Sequence, residues 1–412
     1  MRIAWIKSVA DETQQVFRAL HLVRKAQNSR RLVLVVGHEM KMSGASLLLI
    51  HIVRNIAERG YTPVLLVNAG ASMSREALAL LPTEAVLLQL WAGSSACRLF
   101  LKQLSDMGVT KCLANTVVTG LFAECLKEYG FEVTWLIHEM KGSCRILRAE
   151  TIAKDICRYG TNLVFPNSTV LDSFFSFAQE RSPSSAVHIL PQGIYKQLPS
   201  RRFDNIDDRS LLRRRLHLPE DAVILLGSGA INFGKGIDLL VSTLAHLKKH
   251  ELPQLPPFHV VWLGTSDNHD PFTVWLQLEI EDANLDNRWH WVGYVFDDKT
   301  YCDYLRAADI FVLPSREDAN PSAAMEAAAM GLPIAAFLGS GGGAELAQRQ
   351  HGTVANAGCV EDYVCLIQTL TTCSALLKKR LDTCAEEIAC TGAFSNYVDA
   401  ILRLMTLKWE DE

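Results

Sequence analysis

No Cys-x-x-Cys pair occurs among the eleven cysteines, Cys97, Cys112, Cys125, Cys144, Cys157, Cys302, Cys359, Cys365, Cys373, Cys384 and Cys390. That spacing argues against zinc ligation and against a disulfide framework. Most of these thiols fall inside apolar stretches, so they are expected to be reduced core residues of a cytosolic protein. An uninterrupted apolar run of about 18 residues is also missing, which excludes a bilayer-spanning helix, and the N-terminal region carries no apolar stretch of signal-peptide length. The expected location is therefore cytoplasmic. Charge of one sign is not in excess: 41 Lys and Arg stand against 45 Asp and Glu, a net charge of −4, and nothing suggests a nucleic-acid partner. Internal repeats and low-complexity tracts are absent as well.

What is present is a chain of 412 residues, 49% apolar and 21% charged, long enough for about two soluble α/β domains. Short apolar runs alternate with helix-length segments, as in βαβ units. Strands are expected near 32–37, 62–67, 85–90, 111–114, 133–137, 162–165 and 187–190, and again near 222–227, 258–263, 290–293, 309–313, 333–337 and 352–355. The polar stretch from Lys196 to Arg209 reads as the linker between them. The domains are thus placed at 1–200 and 201–394, each Rossmann-like, with a cleft at the carboxyl ends of their strands. Residues 395–412 follow, with Tyr397, Val398, Ile401, Leu402 and Leu404 at amphipathic-helix spacing. Thr13 to Arg31 reads as a basic amphipathic helix, which favours docking on its own domain over contact with a membrane surface.

Four strand–helix junctions carry candidate chemistry. In the run from Asp309 to Gly331, Asp318 and Glu326 lie eight positions apart where a strand gives way to a helix. Asn320 is expected to cap that helix, with Pro321 at its first position and Gly331 as a left-handed stop. The first-turn amides near Ser322 and Ala323 form a seat for a phosphate. Leu226 to Asp238 joins a strand to a helix through Gly227, Ser228, Gly229, Gly234 and Gly236 with Lys235 among them, giving close backbone approach and a mobile positive charge. Val36 to Ser46 makes a similar connection, where Gly44 permits close approach and His38 reads as a structural polar group. Thr134 to Met140 ends a strand at His138. Each segment, taken singly, has an ordinary reading as a solvated turn, a surface carboxylate or a satisfied core histidine. Their combination is the informative feature.

Together they resemble the retaining glycosyltransferases of family four. The element Ser315-Arg316-Glu317-Asp318 with Pro321 and Glu326 resembles that family's E-x7-E signature, and the loop ending in Lys235-Gly236 its G-x-G-x-x-x-x-x-K-G loop. Asp318 stands where most members have Glu, Ala319 and Asn320 depart from the commonest subset, and Ser228 and Gly229 occupy a region where many members are basic. The resemblance implies a GT-B fold, in which the C-terminal helix crosses back onto the first domain. It also implies transfer of a sugar from a nucleoside-diphosphate sugar to an acceptor hydroxyl with retention at the anomeric carbon. Lys235 would then neutralise the diphosphate with Ser322, Ala323 and Asn320 beside it, and Glu326 would receive the ribose hydroxyls. Asp318 and His138 would contact the sugar, Val292 would lie at the nucleobase wall, Gly44 would shape the acceptor side, and Ser228 and Gly229 would line the donor loop. The acceptor class implied is a saccharide or lipid-linked saccharide in cell-surface polysaccharide synthesis, with peripheral contact at the inner face of the membrane as an option. No Asp-x-Asp follows a strand convincingly, and Asp297-Asp298 reads as a solvated turn, so neither a metal nor another cofactor is expected. Two alternatives remain open at this point, a non-catalytic sugar-nucleotide-binding relative and a nucleotide-sugar 2-epimerase.

Overall fold

The computed structural model describes residues 12–28, 30–179, 185–199, 206–250, 255–265, 270–372 and 374–407. The chain divides into two compact units. One comprises Met1–Tyr195 with Phe394–Glu412, the other Lys196–Ala393. The first holds β1 (Arg31–Gly37), β2 (Tyr61–Asn68), β3 (Val86–Leu90), β4 (Lys111–Asn115), β5 (Glu132–Leu136), β6 (Asn162–Phe165) and β7 (Ala186–Ile189) in the order β3-β2-β1-β4-β5-β6-β7. The second holds β8 (Val223–Ser228), β9 (Phe258–Leu263), β10 (Trp289–Gly293), β11 (Ile310–Leu313) and β12 (Ile334–Ala336) in the order β10-β9-β8-β11-β12. Every strand pairing is parallel. Both sheets are therefore doubly wound, and each reverses its strand order beside its first strand, the place where such sheets bind ligands.

Continuous apolar strands follow from burial on both faces. Val33 to Val36 are wholly buried in β1, as are Val64 to Val67 in β2, Leu225 and Leu226 in β8, and Ile310 to Val312 in β11. The expected strand at 352–355 does not form. Gly352 instead closes helix Gly342–His351 in the left-handed region at φ +83°, and only Ala355 reaches the sheet, through an isolated parallel bridge to Phe337. Four residues opened by a helix-ending glycine leave too little chain for a ladder. The expected linker is also partly structured, since helix Ile206–Arg215 begins inside it; residues 200–205 lie outside the described set. Arg213 is buried and donates to Asp309 Oδ2 at 2.6 Å and to the carbonyls of Ala307, Glu220 and Ala222, which fixes that helix to the start of β11.

The final helix, Phe394–Leu404, belongs to the first unit. Its Phe394, Tyr397, Val398, Ile401 and Leu402 enter the core built on helix Gly44–Glu58 and β1 and β2, and Arg59 donates to Asp399 Oδ1 at 2.8 Å beside it. At roughly 1.5–3 kcal/mol for each fully buried aliphatic side chain, this contact is a substantial part of that unit's stability. Helix Glu12–Gln27 likewise buries Val16, Ala19, Leu20 and Val23 on its own unit and leaves Phe17 exposed. Seven cysteines are buried, whereas Cys365 and Cys390 are exposed and Cys359 half-buried; Cys373 lies outside the described residues. Among the described residues no helix is long and apolar enough to cross a membrane.

Candidate functional site

In the second unit three loops meet at the carboxyl ends of β8, β11 and β12, and glycine is what lets them touch. Gly236, at φ +64°, presses on the Pro314 carbonyl, and Gly341, at φ +124°, presses on the Asp318 carbonyl. A Cβ at either place would stand inside van der Waals contact of a backbone oxygen. Arg316 clasps the first two loops. Its backbone N–H donates to Gly234 O at 2.8 Å, its guanidinium to Phe233 O at 2.8 Å and, in bidentate fashion, to Asp238 at 2.8 and 2.6 Å, while it lies 3.8 Å over the Phe233 ring. A planar fork matched to a carboxylate and an aromatic face is a task for arginine and not for lysine.

That clasp brings Lys235 to Asp318, with which its ammonium forms an ion pair. The lysine stem passes over Gly229, where an added Cβ would lie 3.1 Å from Lys235 Cε. The side chain of Asn232 accepts from Lys235 N at 3.1 Å and so shapes the turn. Asp318 is further held by its N–H to Ser340 O at 2.6 Å. Ser228 ends β8, and Gly229 donates to Leu263 O at 2.9 Å while its carbonyl accepts from Trp262 Nε1 at 2.9 Å. Val292 sits where the β9–β10 register shifts between Trp291 and Gly293, a bulge that re-aims a side chain at a strand end.

Helix Ser322–Ala329 starts immediately beyond, and here the expected cap is corrected. Pro321 is the N-cap, no side chain among the described residues caps the helix, and Asn320 instead donates to Met325 Sδ at 3.3 Å. Without a side-chain cap, the first turn at Ser322 and Ala323 keeps its donors for another acceptor. Gly331 takes the left-handed φ of +74° just after the helix. On the second turn of that helix Glu326 is buried, 2% exposed. Burial raises its pKa, and Lys196 and the Tyr301 hydroxyl oppose the rise. Lys196 Nζ lies 3.5 Å from Glu326 Oε2 and 3.7 Å above the Tyr301 ring. Reading the stretch that begins at Lys196 as a linker hid this residue, and no local pattern marks it.

The first unit carries its own polar cluster at the corresponding strand ends. His138, two residues beyond β5, bonds through Nε2 to Asn115 Oδ1 at 3.0 Å and through Nδ1 to Gln192 Nε2 at 3.0 Å. An amide donor on Nδ1 puts the proton on Nε2, and burial, aided by nearby His38, lowers the His138 pKa to about 4, so the ring is neutral. Glu139 accepts the N–H groups of Val117 and His138 at 3.0 and 3.2 Å, yet burial still pushes it up to about 7. Thr116, next to Asn115, has φ +78° although β-branched, and its buried Oγ1 has no partner among the described residues. Such backbone strain costs roughly 1–3 kcal/mol. His38 Nδ1 is buried and, among the described residues, unpartnered too. Gly44 opens helix Gly44–Glu58, whose N-cap Ser43 makes no capping bond, and a Cβ at Gly44 would meet nothing within 4 Å. Among the described residues no group of three or more His, Cys, Asp or Glu is arranged to hold a metal ion.

Residues 208–387 match the family model described as glycosyl transferases group 1. The chain is 29% identical over 180 residues to mannosylfructose-phosphate synthase of Agrobacterium fabrum (strain C58 / ATCC 33970), covering 43% of this chain and 38% of that protein. It is 28% identical over 155 residues to D-inositol 3-phosphate glycosyltransferase of Xylanimonas cellulosilytica, covering 36% and 34%. The chain thus spans little more than a third of the length of these curated relatives. Among solved structures, Anabaena Alr3699/HepE in complex with UDP superposes with a TM-score of 0.71 at 16% identity, over 91% of this chain and 99% of that one. Sucrose-phosphate synthase from Thermosynechococcus elongatus gives 0.69 at 16% identity, over 92% and 98%.

Proposed function

We propose, from the membership of residues 208–387 in the glycosyl transferases group 1 family and the GT-B fold of the chain, that this protein transfers a sugar from a nucleoside-diphosphate sugar to an acceptor hydroxyl. The observation that carries the reading is the meeting of Lys235, Asp318 and the uncapped start of helix Ser322–Ala329, with Glu326 on that helix's second turn. A mobile ammonium and helix-terminal amides suit a diphosphate, and a buried carboxylate suits a pair of vicinal hydroxyls.

In this mechanism the bond from the anomeric carbon to the diphosphate oxygen breaks, and negative charge grows on the leaving group. Lys235 and the amides at Ser322 and Ala323 stabilise that charge. The acceptor oxygen bonds to the same face of the anomeric carbon, and its proton passes to the leaving diphosphate oxygen, which gives retention without an enzymic nucleophile. Asp318, released when the diphosphate takes the ammonium, receives sugar hydroxyls. Positive charge from the protein fills the place a metal would take, so the reaction is proposed to need none. The donor is proposed to be a hexose or deoxyhexose nucleotide, in line with the UDP held by the Anabaena structure. The acceptor is proposed to be a saccharide or lipid-linked saccharide of cell-surface polysaccharide, met in the cytoplasm or at the inner membrane face.

The test supplies radiolabelled UDP-, GDP- and dTDP-sugars with oligosaccharide and lipid-linked acceptors to the native chain, Lys235→Ala and Glu326→Ala. Turnover that both substitutions abolish supports the transferase. Binding without turnover would indicate a non-catalytic relative, and isomerised nucleotide-sugar a 2-epimerase.

A further inference from the structure

We infer that Lys196 is a positioning residue of the donor site, holding the Glu326 side chain as the anion that receives the ribose hydroxyls. The inference rests on the donor reading above and adds a residue that neither the sequence motif nor the family match covers, since the match begins at residue 208. Three observations carry it. Glu326 is 2% exposed, and a carboxylate so deeply placed keeps its charge only with a partner. Lys196 Nζ is 3.5 Å from Oε2, close enough to act as that partner. The lysine is itself fixed, its ammonium 3.7 Å above the Tyr301 ring, which gives it a defined position where a surface lysine would swing freely. A carboxylate has about four acceptor sites, so one cation on Oε2 leaves capacity for two hydroxyls.

The surrounding groups make the lysine necessary. Burial raises the Glu326 pKa and Asp298 adds to the rise, while Lys196 and the Tyr301 hydroxyl oppose it. Tyr294 and Cys302 are pushed up in turn by burial, with Asp298 and Glu326 contributing. Lys196 is the cation that acts on Glu326 and Cys302 among these carboxyl, phenol and thiol groups. Without it Glu326 would titrate higher, and ribose recognition would shift toward higher pH.

The test is calorimetric titration of the full chain with UDP, GDP and dTDP from pH 6.5 to 8.5, using wild type, Lys196→Met, Lys196→Gln, Lys196→Arg and Glu326→Gln. For the nucleotide that wild type binds, affinity in Lys196→Met is expected to fall relative to wild type, with the loss larger at pH 6.5 than at pH 8.5, because removing the cation moves the Glu326 carboxyl further up. The comparison is a ratio to wild type, so the nucleotide's own ionisation cancels. Lys196→Gln repeats the measurement with much of the stem over Tyr301 kept, and Lys196→Arg should stay near wild type. Equal or tighter binding by Lys196→Met and Lys196→Gln, or a loss that does not change with pH, overturns the inference. Should wild type bind none of the three nucleotides, or Glu326→Gln bind as well as wild type, the donor reading fails first. Binding that depends on Glu326 and ignores Lys196 removes this inference alone.

Discussion

Lys235 and Asp318 neutralise one another across two loops, and the proposed chemistry requires that pair to open. In that proposal a diphosphate taking the ammonium would free the carboxylate for the sugar, so both residues would act at the step where charge moves. Lys235→Ala is expected to lower kcat/KM by about 10²–10³-fold, the usual cost of removing one donor to a developing anion. Steady-state kinetics with the active nucleotide-sugar reads this directly. Glu139 gives a prediction of a different kind. Its folded-state pKa of about 7 lies above the ordinary value of 4.5, so the folded chain binds more protons there than the unfolded one. The carboxyl is accommodated best below the unfolded value, and stability is lost as pH rises through about 7. Glu139→Gln removes that loss. Relative to wild type it should gain about 2 kcal/mol between pH 5.5 and 8.5, measured by hydrogen exchange in β4 and β5 under urea.

At the scale of elements, the site is three loops held by glycine contacts and one arginine. Gly236 and Gly331 both sit in the left-handed region, but only Gly236 has a backbone oxygen against it, while Gly331 has nothing within 4 Å. Gly331→Ala should therefore cost only the local strain, about 1 kcal/mol. Gly236→Ala should cost more and should also lower nucleotide affinity. Urea melts of the second unit together with calorimetry separate the two; equal costs would contradict the clasp. The strands were legible because buried parallel strands read as unbroken apolar runs, and Lys235, Asp318 and Glu326 could be singled out as candidates because each lies in a local motif. The clasp was not legible. Arg316 finds Asp238 and Phe233 at separations of 78 and 83 residues, and no local spacing encodes that. The cap at Asn320 was misread because two adjacent residues could begin the helix; Pro321 takes the N-cap place, and the Asn320 amide donates to the sulfur of Met325. The strand expected at 352–355 failed because Gly352 was already committed to ending a helix.

For the whole molecule, the chain enters its second unit at Lys196 and returns to the first at Phe394. The last helix is a core element of the first unit, with Val398, Ile401 and Leu402 wholly buried. Ile401→Ala is expected to cost about 2–5 kcal/mol, and hydrogen exchange should locate that loss in the first unit while amides of β8, β9 and β11 keep their protection. Loss of protection in both units alike would mean that they unfold as one. The account as a whole turns on where a donor nucleotide binds. A crystal structure of the chain with the nucleoside diphosphate that binds it tests this most directly. The account predicts phosphate oxygens at hydrogen-bond distance from Lys235 Nζ, with Asp318 released and the ribose on Glu326; a nucleotide bound away from residue 235, with the Lys235–Asp318 pair intact, would contradict it.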